Sequence, residues 1–125
     1  QIMYSLRKAI DEYFIETENG RDKRYRENWK LLYEGVIRIG FKPLLPFSQE
    51  SQILTAFCEP ADKNYSFEKM HDYLYDRGFT IYPGKGAKID TFRLSILGDL
   101  YKDDIINFLK ALEGYVEENK ISFAI

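Results

Sequence analysis

Phe79-Thr80-Ile81-Tyr82-Pro83-Gly84-Lys85-Gly86-Ala87-Lys88-Ile89-Asp90-Thr91-Phe92-Arg93-Leu94-Ser95-Ile96-Leu97-Gly98-Asp99 is the stretch that decides the architecture. It reads as a strand, a glycine-rich basic turn, a second strand and another glycine turn. In the second strand Phe92, Leu94 and Ile96 fall on one face, while Arg93 and Ser95 point to the other. An arginine at that position must leave the core, and a cleft or an interface is where it goes. On composition alone a structural salt bridge is the expected use. A planar guanidinium can also hold a carboxylate or phosphonate through two parallel hydrogen bonds.

Working toward the N-terminus, Ser66 is a good N-cap, with Phe67, Met70, Tyr73 and Leu74 as the buried stripe of a helix closed by Gly78. His71 lies off that stripe and is expected exposed, without a catalytic partner. Gln52 to Cys58 is nearly continuous in apolar character, so a strand covered on both faces is expected. Phe41 to Leu45 is a shorter strand candidate closed by Pro46. Tyr25, Trp29, Leu32, Val36 and Ile39 step at helical spacing up to Gly40. An earlier amphipathic helix carries Leu6, Ile10, Tyr13 and Ile2 to about Thr17, and Asn19-Gly20 reads as a strong break or only a kink, because helical periodicity resumes at once. The basic run from Arg21 to Glu27 is interleaved with acids and reads as a solvated helix face, not a nucleic-acid patch.

Toward the C-terminus, Asp103 and Asp104 precede Ile105, Leu109, Leu112 and Val116. Paired carboxylates can serve acid–base chemistry. At a first helical turn they more often complement the orphan amides and the helix dipole, which is the reading here. Ile121 to Ile125 is expected to be a short edge strand or a loose tail.

The order is helix, helix, strand, strand, helix, strand, strand, helix. That order predicts an α+β domain, a small mostly antiparallel sheet with helices packed on one face. At 125 residues and 14.8 kDa one domain is expected, large enough for a core. The hydrophobic fraction of 45%, with 16% aromatic residues, argues for a packed unit over a disordered one. A formal net charge of -2 and a pI near 5.5 give no bulk electrostatic case for nucleic acid or a membrane surface. One cysteine, Cys58, excludes an internal disulfide and a multi-cysteine metal site, and is expected to be a small buried hydrophobe. No apolar run approaches the ~20 residues of a membrane span, no signal-peptide pattern opens the chain, and a cytoplasmic location is expected. Gln1-Ile2-Met3-Tyr4 is already in helical periodicity without a cap, as expected of a segment cut from inside a longer protein.

Gly84-Lys85-Gly86 with Lys88 fails the phosphate-loop pattern, which needs a helix immediately after it, so a hairpin connection is the reading. Either lysine could form a Schiff base in principle, but nothing in the sequence indicates the burial that would activate it. No metal site and no catalytic residue is assigned.

Five segments in order carry a family resemblance. They are Arg24-Tyr25-Arg26-Glu27-Asn28 with Leu31-Leu32, Gly40-Phe41 with Leu44-Leu45-Pro46, Ser51 to Phe57, Arg77 to Lys85, and Asp90-Thr91-Phe92-Arg93. Together they resemble the C-terminal domain of 2-aminoethylphosphonate–pyruvate transaminases, pyridoxal-phosphate (PLP) enzymes of fold type I, class V. The resemblance implies a single small domain over residues 1–125, with 1–39 as the helical lead-in from a large domain. It implies an activity converting 2-aminoethylphosphonate and pyruvate to phosphonoacetaldehyde and L-alanine. PLP would be held mainly by the large domain, in a homodimer whose small domain closes over the site. The arginine matching Arg93 would hold the anionic end of both substrates, with Thr91 and Lys85 as lesser substrate contacts.

Two departures from the family stand out. Ser95 occupies a position where glycine is usual, and Gln52 one where proline is usual. The Schiff-base lysine, the aspartate on the pyridine nitrogen and the phosphate loop have no counterpart here, so this segment alone is expected to be inactive. The alternatives are another class V enzyme of the alanine–glyoxylate type, or a non-catalytic α+β binding module with Arg93 in a salt bridge or small-anion pocket.

Overall fold

The computed structural model describes residues 1–84, 86 and 88–123. Two helices lead, α1 (Ile2–Glu16) and α2 (Glu18–Ile39). Then come β1 (Lys42–Pro43), a 3-10 turn (Phe47–Gln49), β2 (Leu54–Cys58), α3 (Phe67–Tyr75), β3 (Tyr82–Pro83), β4 (Thr91–Ser95) and α4 (Lys102–Glu118). The four strands form one antiparallel sheet in the order β1-β2-β4-β3. This is the expected α+β layer.

The sheet's register sorts its side chains. Phe57 pairs with Phe92 and Thr55 with Leu94, and all four are buried beneath the helices. Phe57 and Phe92 stack at 5.8 Å, with Phe41 edge-on to Phe92 at 5.2 Å. Val36 from α2, Met70 and Leu74 from α3, and Leu112 and Tyr115 from α4 complete the core. Thr55 is the polar group on this face, and it is satisfied twice. Trp29 Nε1 donates to its hydroxyl at 2.9 Å, and the hydroxyl donates to Glu50 at 3.1 Å.

The opposite face is open. It carries Lys42, Leu54, Ala56, Cys58, Tyr82, Arg93 and Ser95, none of them fully buried. Strand β2 is therefore covered on one face only, contrary to the expectation from its apolar run. Length misled that reading: Leu54 and Ala56 remain apolar while facing outward. Cys58 is half-buried on that face for the same reason.

Element ends follow local chemistry. At Gly40 and Gly78 the helix closes with paired bonds, Phe41 N to Val36 O with Gly40 N to Ile37 O, and Phe79 N to Leu74 O with Gly78 N to Tyr75 O. Both glycines have positive φ, 129° and 87°, as this closing motif requires. Ser66 accepts from Lys69 N as predicted. Asp103 and Asp104 fall in the first turn of α4, where Asp104 caps the helix by accepting from Tyr101 N at 2.8 Å.

Four boundaries differ from the sequence reading. The helix break falls at Thr17 (φ 70°), and Asn19-Gly20 lies inside the first turn of α2, where Gly20 N is bonded to the Thr17 hydroxyl at 3.2 Å. Gln52 does not enter the strand; it has φ 62°, and β2 starts at Leu54. The two outer strands, β1 and β3, shrink to two residues each. Residues 121–123 form neither a strand nor a loose tail: Ile121 is buried, Phe123 packs on Phe41 at 4.9 Å, and Asp62 accepts from Ser122 N.

Candidate functional site: a groove at the free edge of β4

Strand β3 pairs with β4 only at Tyr82–Arg93 and Pro83–Phe92. Before Tyr82 the chain diverges from β4, leaving a groove of about 600 Å³ beside Leu94 and Ser95. Its polar groups are Thr80, Tyr82, Arg93, Ser95 and Asp104, over an apolar wall that includes Ile105 and Phe108.

Arg93 sits where the sequence pattern puts it, on the open face. Its cross-strand neighbours are Ala56, too small to cover it, and Tyr82, 62% exposed. Its Nε donates to Pro83 O at 3.2 Å. Among the described residues it makes no salt bridge, in contrast to the use that composition favours. Its terminal nitrogens make no hydrogen bond among the described residues.

Thr91 shares that face but not the groove. It is 5% exposed because Gly84 passes directly over it, with Gly84 N bonded to Thr91 O at 2.6 Å. Lys85 lies outside the described residues. Asp104 reaches the groove wall, but its Oδ2 is engaged in capping α4. His71 is half-buried, its ring stacked on Tyr75 at 5.9 Å and its Nδ1 3.1 Å from Asp72, away from the groove. No group of three His, Cys, Asp or Glu among the described residues could hold a metal, and no helix is long and apolar enough to cross a membrane.

The sequence reading missed a second polar centre. Lys23, Arg26 and Glu27 form the solvated face expected of the basic run, but Arg24 turns inward, with its side chain only 14% exposed. Arg24 Nε and Nη2 both donate to the carboxylate of Glu16, and Arg21 Nε donates to it at 2.8 Å. Those bonds, Arg24's first and then Arg21's, hold the Glu16 carboxyl down at about 2 and push both guanidinium pKa values upward. Elsewhere burial acts the other way, raising Glu50 and Glu59. Glu16 and Arg24 are eight residues apart, which on one continuous helix would separate them by about 12 Å along the axis, well beyond an i,i+4 pair. The break at Thr17 brings them together, so sequence periodicity gave no signal.

The lining described for the groove contains no lysine. The residues described there do not by themselves fit PLP, whose imine requires an amine that this lining does not supply.

No protein-family model matches the chain. Among curated proteins it is 39% identical over 106 residues to a 2-aminoethylphosphonate–pyruvate transaminase of Bacillus cytotoxicus, covering 82% of this chain and 29% of that protein. It is 41% identical over 96 residues to one of Klebsiella pneumoniae, covering 77% of this chain and 26% of the relative. The chain thus spans about 30% of the length of the relatives it matches. Two solved structures share the fold. The ureidoglycine–glyoxylate aminotransferase of Bacillus subtilis has a TM-score of 0.84 at 20% identity, covering 97% of this chain and 32% of that one. The alanine–glyoxylate aminotransferase of a Nostoc species has a TM-score of 0.80 at 21% identity, covering 90% and 30%. Sequence and fold agree: the chain matches a part, about 30% of the length, of 2-aminoethylphosphonate–pyruvate transaminases, and that part has the fold of the aminotransferases' corresponding segment.

Proposed function

We propose that this chain is the anion-holding small domain of a PLP-dependent 2-aminoethylphosphonate:pyruvate aminotransferase. The observation that carries the reading is Arg93, on the open face of the sheet, without an ion-pair partner among the described residues and lining the groove at the edge of β4. Aminoethylphosphonate and pyruvate share one feature, an anionic group close to the carbon that exchanges nitrogen, bonded to it in pyruvate and one methylene away in 2-aminoethylphosphonate. One guanidinium can serve both half-reactions, because carboxylate and phosphonate both present two oxygens to its fork. PLP, when bound by the rest of the enzyme, supplies the electron sink for moving the amino group. This domain's part is to orient the substrate and to cover it from water.

The exposed apolar residues of α1, among them Ile2, Leu6, Phe14 and Ile15, suit a helix that packs against a large domain or a second protomer. A homodimer in the cytoplasm, with the small domain inactive alone, completes the proposal. Thr91, shielded under Gly84, and Lys85 have lesser roles in it than Arg93.

The test uses the full-length enzyme with and without Arg93→Ala. Cofactor absorbance is followed as 2-aminoethylphosphonate and then pyruvate are added. Retained cofactor with roughly 2–4 kcal/mol less selection for the anionic substrates supports the anchor, since lost ground-state and transition-state binding reads out in kcat/KM. A parent that binds no PLP refutes the transaminase reading; a variant that reacts normally refutes the role of Arg93.

A further inference from the structure

We propose that Arg24 is a positioning residue that ties the groove wall to the end of α1, an inference that rests on the transaminase reading above. The loop after β4 turns at Gly98 (φ 112°) and delivers Leu97 and Leu100 to the groove. Its carbonyls are turned to α2. Arg24 Nη1 donates to two of them, Gly98 O at 2.9 Å and Leu100 O at 2.8 Å. Asn28, 3% exposed, adds a bond to Leu100 O at 2.8 Å. The other two nitrogens of the same guanidinium hold Glu16, the last residue of α1.

One side chain therefore binds two structures at once. Nη1 fixes the loop, and Nε with Nη2 fixes α1. The rings of Tyr25 and Tyr101 lie 5.0 and 5.1 Å from its centre and hold the plane of the fork. Immediately after Glu16 the helix breaks at Thr17, whose φ of 70° is rare for a β-branched residue. The direction of α1 is consequently set by the Glu16–Arg24 pair as well as by the backbone, and movement of α1 is felt at the carbonyls that shape the groove. Lysine cannot replace this function: its single nitrogen reaches the carboxylate or the carbonyls, without the planar fork that serves both.

The experiment uses the full-length holoenzyme and the variants Arg24→Met, Arg24→Lys, Lys23→Met and Arg93→Ala. Two quantities are read on folded, cofactor-loaded protein: KM against kcat for 2-aminoethylphosphonate, and the inhibition constant of methylphosphonate, a non-reacting anion. Arg24→Met is expected to raise both KM and the inhibition constant about tenfold while kcat stays within about twofold, the pattern of lost substrate positioning. Arg24→Lys should fall between it and wild type, and it carries the measurement if Arg24→Met does not fold. Lys23→Met, on the solvated side of the same helix, should change neither quantity. An Arg24 variant that lowers only yield or melting temperature, with both constants unchanged, overturns the inference and makes Arg24 a purely structural residue. If Arg93→Ala also leaves both constants unchanged, the groove is not the anion site, and the proposed function falls together with this inference.

Discussion

Gly84→Ala tests whether the edge of the sheet is packed as tightly as its geometry requires. A Cβ at residue 84 would lie 1.8 Å from Thr91 Oγ1, 2.8 Å from Thr91 O and 2.9 Å from Thr91 Cβ. Rotating the threonine hydroxyl away removes only the first clash. The other two involve the backbone and Cβ of a residue in β4, a strand paired on both sides. Strand β3 must therefore lift, stretching the Gly84 N to Thr91 O bond and shifting the Pro83 carbonyl that accepts from Arg93. Overpacking costs about 1–3 kcal/mol, and weakening one sheet hydrogen bond adds about 1 kcal/mol, so a loss of about 2–4 kcal/mol is expected. Urea unfolding followed by Trp29 fluorescence measures it, since Trp29 is the only tryptophan, is 3% exposed and stacks on Tyr33 at 4.8 Å. With an m-value of roughly 2 kcal/mol/M, the midpoint should fall by about 1–2 M. Thr91→Ala removes Oγ1, so the double variant should cost about 1 kcal/mol less than the sum of the singles. A midpoint within about 0.2 M of wild type, or strict additivity of the two changes, refutes the packing account.

Further outcomes follow from single backbone and charge features. Lys120 has φ 51° where α4 closes, with Ile121 N on Val116 O, so Lys120→Gly should stabilise by about 0.5–1 kcal/mol in the same urea assay; destabilisation would contradict it. Gln52, at φ 62°, cannot be replaced by proline, whose ring holds φ near -65°, so Gln52→Pro should lose more than about 1 kcal/mol while Gln52→Gly should be neutral or stabilising. Glu16, held at about 2 against an ordinary value of 4.5, contributes stability that is complete above pH 4.5 and lost as pH falls toward 2. The urea midpoint of the wild type should accordingly drop more steeply over that window than that of Glu16→Gln, and parallel curves would show that the ion pair contributes nothing.

The sequence by itself determined what is local. Helix caps at Ser66, Gly40 and Gly78, the alternation that turns Arg93 away from Phe92 and Leu94, and the helical stripe through Trp29 and Val36 all depend on neighbours within a turn or a strand, and all are found in place. Motifs in order also reached the family, because they record chemistry without needing its geometry. What the tertiary structure decided is what depends on distant partners. The apolar run at Leu54–Cys58 could not tell one covered face from two, since coverage is set by helices elsewhere in the chain. The groove beside Arg93 exists because β3 stops pairing after two residues, which no side-chain pattern in Phe79–Pro83 encodes. Arg24 is the clearest case. Within its own segment it is one basic residue among several, and only the break at Thr17 and the return of the chain at Gly98–Leu100 give its guanidinium a carboxylate on one side and two carbonyls on the other. Local propensity fixes which way a side chain points; the fold decides what it meets there.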